Sequence, residues 1–250
     1  MCLLALFFRV ADDAAVIVGA NREEAYARGG EAPRLLAGDC PALAGTDPVA
    51  GGTWLGVNAL GVLIAITNRL KTDLPKQPRS RGLLARDLLR CITASGAAEL
   101  ATREVGQDRY AGCNILCADS RSAFVLHAGD WLRVRPLPAG LHVLGSRDVN
   151  DPMDARAGHA LTQLGRKPYS TALNCVSALL ELCSDRVPGS PAMCIHGEKG
   201  GTVSSSLVAL NSISERSIYL HSQGSPDSTP YKDYSPLLHS LLATRQDEDR

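Results

Sequence analysis

Residues 1–8 read MCLLALFF, and Arg9 closes the run. An apolar stretch of this length with no polar alternation describes a strand covered on both faces, not a half-exposed one. It is too short to span a bilayer, and it lacks the basic flank and small-residue cleavage site of a secretory signal. No membrane insertion and a cytoplasmic setting are therefore expected. Cys2 has two readings. It is either a small apolar residue in a first strand, or the first residue of a chain trimmed by methionine aminopeptidase. In the second case it would carry a thiol beside a free α-amine, which can serve as the base for its own side chain.

Further runs repeat the pattern in pairs. CLLALFFRV and AAVIVGA flank Asp12-Asp13, and TWLGV and VLIAITN flank residues 58–61. CNILCAD and AFVLHAG flank Ser120-Arg121, and VSSSLVAL and RSIYLHS flank residues 211–215. Short apolar runs joined by brief polar turns describe antiparallel hairpins. Helical spacing follows Ser80, where Leu84, Leu88 and Cys91-Ile92 mark one face. It recurs after Ser170, where Ala172, Leu173, Val176, Leu179, Leu180 and Cys183 form a stripe. A weaker helix is expected from about Asp154 to Leu164. Ser225 to Pro236 reads as a wrapping loop, and the closing TRQDEDR as a frayed tail. Hairpins that need cover on both faces, with helices to supply it, suit an α+β fold: a four-layer αββα sandwich of antiparallel sheets. One domain is expected over residues 1–243, with 244–250 as a polar tail.

Composition narrows the function. The chain has 250 residues, 26 Lys+Arg against 26 Asp+Glu, and hence a formal net charge of zero, so the electrostatic footprint of a nucleic-acid binder is missing. The basic stretch from Lys71 to Arg90 is either a solvated face or an attractor for anionic groups at the mouth of a site. Eight cysteines without C-x-x-C spacing point to a reducing compartment and to no zinc motif. Cys113 and Cys117 share a strand face, and Cys175 and Cys183 a helix, where each fits the core. In GANREEAYAR, Asn21 and Glu24 have the spacing of a helix-capping box. Alternatively, Arg22 lies beside a Cys2 thiolate and Glu24 holds the ammonium group. Trp54 in GGTWLG is a core or pocket wall, its paired glycines permitting close backbone approach. His196, before GEKGG, is either a pocket residue or a strand-end histidine with a local partner.

Together, MC at the start, ANREE near position 20, GGTWLGVN at 51–58, ITNR at 66–69, HVLGSRDVNDPMDAR at 142–156 and CIHGEKGGTVSSSLVAL at 194–210 resemble the NRDE family, the transport-and-Golgi-organisation protein 2 family. The resemblance implies an N-terminal-nucleophile hydrolase fold with Cys2 at the nucleophile position. By similarity to bile-salt and penicillin-V acylases, it implies that Arg22 steadies the nucleophile, Glu24 the α-amine, and that Asn68 lines the oxyanion region. The activity implied is that of a hydrolase or acyltransferase acting on a small-molecule amide, with no cofactor required. The match departs from the family pattern where Glu23 replaces Asp. It departs further where Ser146 replaces an expected Asn and Val203 an expected Arg. Arg147 is a candidate to restore the missing cation. The alternative function is a haem, lipid or acyl-CoA binding and trafficking protein that uses the same cleft, with Cys2 or a histidine as a haem ligand.

Overall fold

A computed structural model describes residues 2–186 and 191–248, without the side chains of 244–248. The chain opens with β1 (Leu3–Phe8), β2 (Ala14–Ala25), β3 (Glu31–Leu36), β4 (Ala42–Thr46), β5 (Leu55–Asn58) and β6 (Leu63–Asn68). Helices α1 (Arg81–Leu88) and α2 (Ala94–Val105) follow, then β7 (Cys113–Ala118), β8 (Ala123–Ala128), β9 (Leu132–Pro136) and β10 (Gly140–Leu144). Helices α3 (Ala155–Leu164) and α4 (Ala172–Cys183) lead to β11 (Gly200–Asn211), β12 (Ile218–Ser222), the short β13 (Lys232–Asp233) and α5 (Ser235–Glu248).

Two antiparallel sheets result, in the orders β10-β1-β2-β11-β12-β13 and β3-β4-β5-β6-β7-β8-β9. The opening run behaves as its composition requires. Leu4, Leu6 and Phe8 point into the layer between the sheets, among Val16, Val18, Leu43, Leu63, Leu116 and Val208. Leu3, Ala5 and Phe7 point the other way, onto α3 and α4 through Ala157, Ala160, Val176 and Leu179. The outer face of the second sheet packs Ile64, Cys113, Ile115 and Cys117 against Leu84, Leu88, Ala97 and Ala101 of α1 and α2. This is the four-layer αββα sandwich. Cys113, Cys117, Cys175 and Cys183 are all buried in it, and all eight cysteines are unpaired. Among the described residues, no helix is long and apolar enough to cross a membrane.

Several local expectations are corrected. The capping-box segment is not helical: Asn21 to Ala25 continue β2, paired with Gly200–Ser205 of β11. The Asn21 amide instead donates to the Cys183 and Met193 carbonyls, at 2.9 and 3.0 Å. Tertiary pairing of the backbone here overrides a local capping signal. Helix α1 ends at Leu88, leaving Cys91 and Ile92 in a turn with Ile92 exposed. Thr93 then caps α2, its hydroxyl accepting from the Gly96 N–H at 3.0 Å. Thr171 caps α4, and Leu173 of the expected stripe faces solvent. The Ser225–Pro236 segment is not only loop: it contains β13 and begins α5. Leu238 and Leu241 of α5 enter the inter-sheet core. Of the expected frayed tail, residues 244–248 instead continue α5, and 249–250 lie outside the described residues.

Asn114 on β7 ties the second sheet to the chain beyond β10. Its amide donates to the carbonyls of Gly145 and Arg147, both at 3.0 Å, while the Thr67 hydroxyl donates to Gly145 at 2.6 Å. His127 Nδ1 lies 2.8 Å from the Asn114 side-chain oxygen, and its Nε2 accepts from the Val149 N–H at 3.4 Å. Burial lowers the His127 pKa to about 4, against the opposing pull of Asp148. The unfolded chain, with an ordinary histidine, therefore binds more protons between about pH 4 and 6.5. The contribution of His127 to stability is complete above that window and is lost as pH falls through it. Urea unfolding at pH 7 and pH 5 should differ by about 2 kcal/mol from this residue, with buried His221 acting in the same direction. His127→Gln should flatten the slope by the His127 share; an unchanged slope would show that the imidazole titrates normally in the fold.

Candidate active site

The site forms where β1 and β2 of one sheet end beside β5 and β6 of the other. In β2 the two-residue period of a strand divides the NREE segment. Asn21 and Glu23 turn to the helical layer, and Arg22 and Glu24 toward the space between the sheets. Glu23 meets Arg156 of α3 in a two-pronged pair, at 2.5 and 3.2 Å. Arg156 also donates to the carbonyls of Ala192 and Met193. On the other face, Cys2, Arg22, Glu24, Trp54 and Asn68 line one cavity of about 330 Å³. It draws residues from both sheets, and from β1, β2, β5 and β6 or their immediate ends.

Arg22 is only 6% exposed. Its guanidinium donates to the Gly29 carbonyl, stacks on the Trp54 ring at 4.4 Å and lies 3.6 Å from the Glu24 carboxylate. Burial lowers its pKa, with Glu24, Cys2 and Asp47 opposing; a guanidinium nonetheless stays charged at any ordinary pH. Arg28 reaches Glu24 at 3.8 Å and Asp47 at 2.6 Å. Burial raises the Asp47 carboxyl, but its bonds from Arg28 and from the Val49 N–H outweigh that and hold it below the usual carboxylate range.

Cys2 is partly buried. Its sulfur accepts from the Glu23 N–H at 3.4 Å. Burial pushes the thiol pKa up; the Glu23 N–H and the nearby Arg22 charge pull it back, and the net shift remains upward. A thiol in this setting needs a base to lose its proton at neutral pH. Asn68 closes β6, in register with Cys113 of β7.

The second of the paired glycines ahead of Trp54 has a steric task, whereas a Cβ on Gly51 would meet nothing. A Cβ on Gly52 would lie 2.2 Å from the Gly82 carbonyl carbon, and the Thr53 N–H donates to that same carbonyl group at 2.9 Å. This contact seats the start of α1 on the cavity, bringing Arg79, Ser80 and Arg81 to its wall. The basic stretch thus delivers two of its arginines to the cavity. Arg28, Asp47 and Thr53 also line it. Nothing in their spacing announces this, because Arg28 and Asp47 meet only through strand pairing.

Ser146, Arg147 and His196 are not brought to the cavity wall. The β1–β10 register ends where Leu4 pairs with Leu144, so Ser146 lies beyond β10. The Arg147 head group is exposed and lies 3.7 Å from Asp151. Val203 is the extra residue of a β-bulge between Thr202, opposite Glu23, and Ser204, opposite Arg22. His196 Nε2 lies 3.0 Å from Asp227, on a separate cluster.

The architecture is that of the N-terminal-nucleophile hydrolases. The C. elegans N-acylethanolamine-hydrolyzing acid amidase (NAAA) ortholog superposes with a TM-score of 0.57 at 15% identity, over 82% of this chain and 92% of that one. Penicillin V acylase from Agrobacterium tumefaciens gives 0.55 at 9% identity, over 89% and 83%. At these identities the likeness is one of fold. The chain belongs to the Transport and Golgi organisation 2 family, whose profile matches residues 1–216. The human Transport and Golgi organization protein 2 homolog is 33% identical over 111 residues, 43% of this chain and 40% of that protein. The Bos taurus homolog is 34% identical over 107 residues, 42% and 38%. The aligned region therefore spans about two fifths of these relatives.

Because the Arg22 charge lowers the Cys2 pKa, Arg22→Gln should move it higher. The iodoacetamide alkylation rate of Cys2, followed by peptide mass spectrometry against pH, should show its midpoint displaced upward in the variant. A midpoint that stays in place would mean that the guanidinium does not act on the thiol.

Proposed function

We propose that this cavity is the active site of a cysteine hydrolase or acyltransferase acting on the amide bond of a small molecule. The observation that carries the reading is the convergence of Cys2, Arg22, Glu24 and Asn68 on one cavity from separate strands of both sheets. Cleavage of the bond preceding Cys2 frees its α-amine. That amine takes the thiol proton, and the sulfur attacks the amide carbon. The Asn68 side-chain N–H groups stabilise the tetrahedral oxyanion. The leaving amine departs with a proton returned from the ammonium group, and water or an acceptor amine then opens the thioester. Glu24 orients the ammonium group, and Arg22 favours the thiolate. Arg79 and Arg81 at the rim favour a substrate with an anionic end. No cofactor takes part, and a reducing, cytoplasmic setting suits the eight unpaired thiols.

A second reading, haem, lipid or acyl-CoA binding in the same cleft, draws on Ser146 and Val203, which stand where the resemblance to the acylases implies an active-site Asn and Arg. Among the described residues lining the cavity there is no histidine, so Cys2 would be the iron ligand. The placing of Arg22, Glu24 and Asn68 with Cys2 in this cavity, rather than a histidine, favours the hydrolase.

Intact-mass analysis of the protein from its native host, before and after a thiol-directed acylating probe, separates the two. The hydrolase predicts loss of Met1 and one adduct on Cys2, absent in Cys2→Ala of unchanged circular dichroism. Asn68→Ala should lower turnover of a responsive amide by about 100–1000-fold. An unlabelled Cys2, together with a stoichiometric Soret shift that Cys2→Ala abolishes, would overturn the hydrolase in favour of haem binding.

A further inference from the structure

Away from the cavity, a second group of reactive side chains gathers on two turns. Cys194 and His196 precede the GEKGG turn that leads into β11, and Ser225 and Asp227 follow β12. Among the described residues, Cys194, His196 and Asp227 are the group of three metal-ligating types whose donor atoms all lie within 4.8 Å of one another. Cys194 Sγ is 3.7 Å from His196 Nε2 and 3.4 Å from Asp227 Oδ1, and that oxygen is 3.2 Å from Nε2. A tetrahedral zinc ion holding sulfur, nitrogen and oxygen at ordinary bond lengths sets its ligand atoms roughly 3.3–3.6 Å apart. The three measured edges lie close to that face.

We propose that Cys194, His196 and Asp227 form a binding site for a divalent zinc-type cation. The donor set is selective: a thiolate with an imidazole favours zinc over the hard cations magnesium and calcium. Ser225 Oγ, 2.9 Å from Sγ and 3.0 Å from Nε2, stands ready to hold a water at the fourth position. Arg186 approaches the other carboxylate oxygen of Asp227 at 3.5 Å, which leaves Oδ1 for the metal. Its side chain is 60% exposed, so water screens its charge.

The backbone holds the donors in place. The Cys194 N–H donates to the Asp185 carbonyl at 3.0 Å, and the Thr202 N–H to the Ile195 carbonyl at 2.7 Å. The Thr202 hydroxyl accepts from the Ile195 N–H at 2.9 Å, and His196 bridges to Gly201. Gly201 in turn pairs with Glu24. A bound metal would therefore pin the turn after β12 to the hairpin that backs the Glu24 end of β2. This site stands on its own donors and does not depend on the chemistry proposed for Cys2.

The test is titration of the reduced, chelator-stripped full chain with Zn2+ by calorimetry, and with Co2+ by absorption spectroscopy. One ion should bind, and cobalt should show a thiolate-to-metal charge-transfer band in the near ultraviolet. Cys194→Ser should abolish the band. His196→Ala, at a part-exposed position that the fold tolerates, should weaken binding by more than about 100-fold, the upper end of the loss from removing a group that merely supports a ligand. Cys2→Ala should leave both readouts unchanged. The proposal is overturned if no band appears, or if His196→Ala binds like the native chain.

Discussion

The site depends on β2 remaining a strand through residues 21–24. Only a two-residue period sends consecutive polar side chains to opposite faces, so that Arg22 and Glu24 reach the inter-sheet cavity while Asn21 and Glu23 enter the helical layer. A helix beginning at Asn21 would fan the same four residues around one axis and scatter them. What holds the strand there is its pairing with Gly200–Ser205 of β11, while β1 flanks it as far as Asn21, opposite Leu3. What makes the register specific is charge. Glu23 and Arg22 are both nearly buried, and a buried charge is tolerated only when it is paired. Glu23 has Arg156 on the helical side; Arg22 has Glu24, the Gly29 carbonyl and the Trp54 face on the other. A slip of one residue would exchange these environments and strand both charges.

Around Cys2 the effects on the thiol oppose each other. Burial favours the protonated sulfur, whereas the Glu23 N–H and the Arg22 guanidinium favour the thiolate, and burial prevails. Such a group is held quiet until a base is supplied beside it. This is the condition under which a nucleophile that carries its own α-amine gains most from that amine.

The hairpins and the layered fold were legible because apolar runs too continuous for one buried face require cover on two. Cys2, Arg22, Glu24, Asn68 and Trp54 were legible as candidates through short motifs, and they share a cavity. Two local signals misled for identifiable reasons. The Asn21–Glu24 spacing satisfies a capping box, but the Asn21 amide is used by carbonyls at Cys183 and Met193, far along the chain. The apolar Cys91-Ile92 pair extends the spacing of α1, yet the helix stops before it and Ile92 faces solvent. Helix α5 carries too little amphipathic pattern to declare itself; its place comes from Leu238 and Leu241 filling the end of the core. Arg28 meets Asp47 across 19 positions and Cys194 meets Asp227 across 33, and no local spacing encodes such meetings.

By itself, then, the amino-acid sequence determined that strands come in antiparallel pairs, that both faces of the first strand are buried, and that a cysteine heads it. These follow from hydrophobic period and turn chemistry, which act over a few residues. The tertiary structure alone decided which charges face which layer, that Gly52 and Gly82 let α1 abut the cavity, and that His196 turns away from it to join Cys194 and Asp227. Those outcomes rest on strand register and close backbone approach, and both are set by the whole sheet rather than by any one segment.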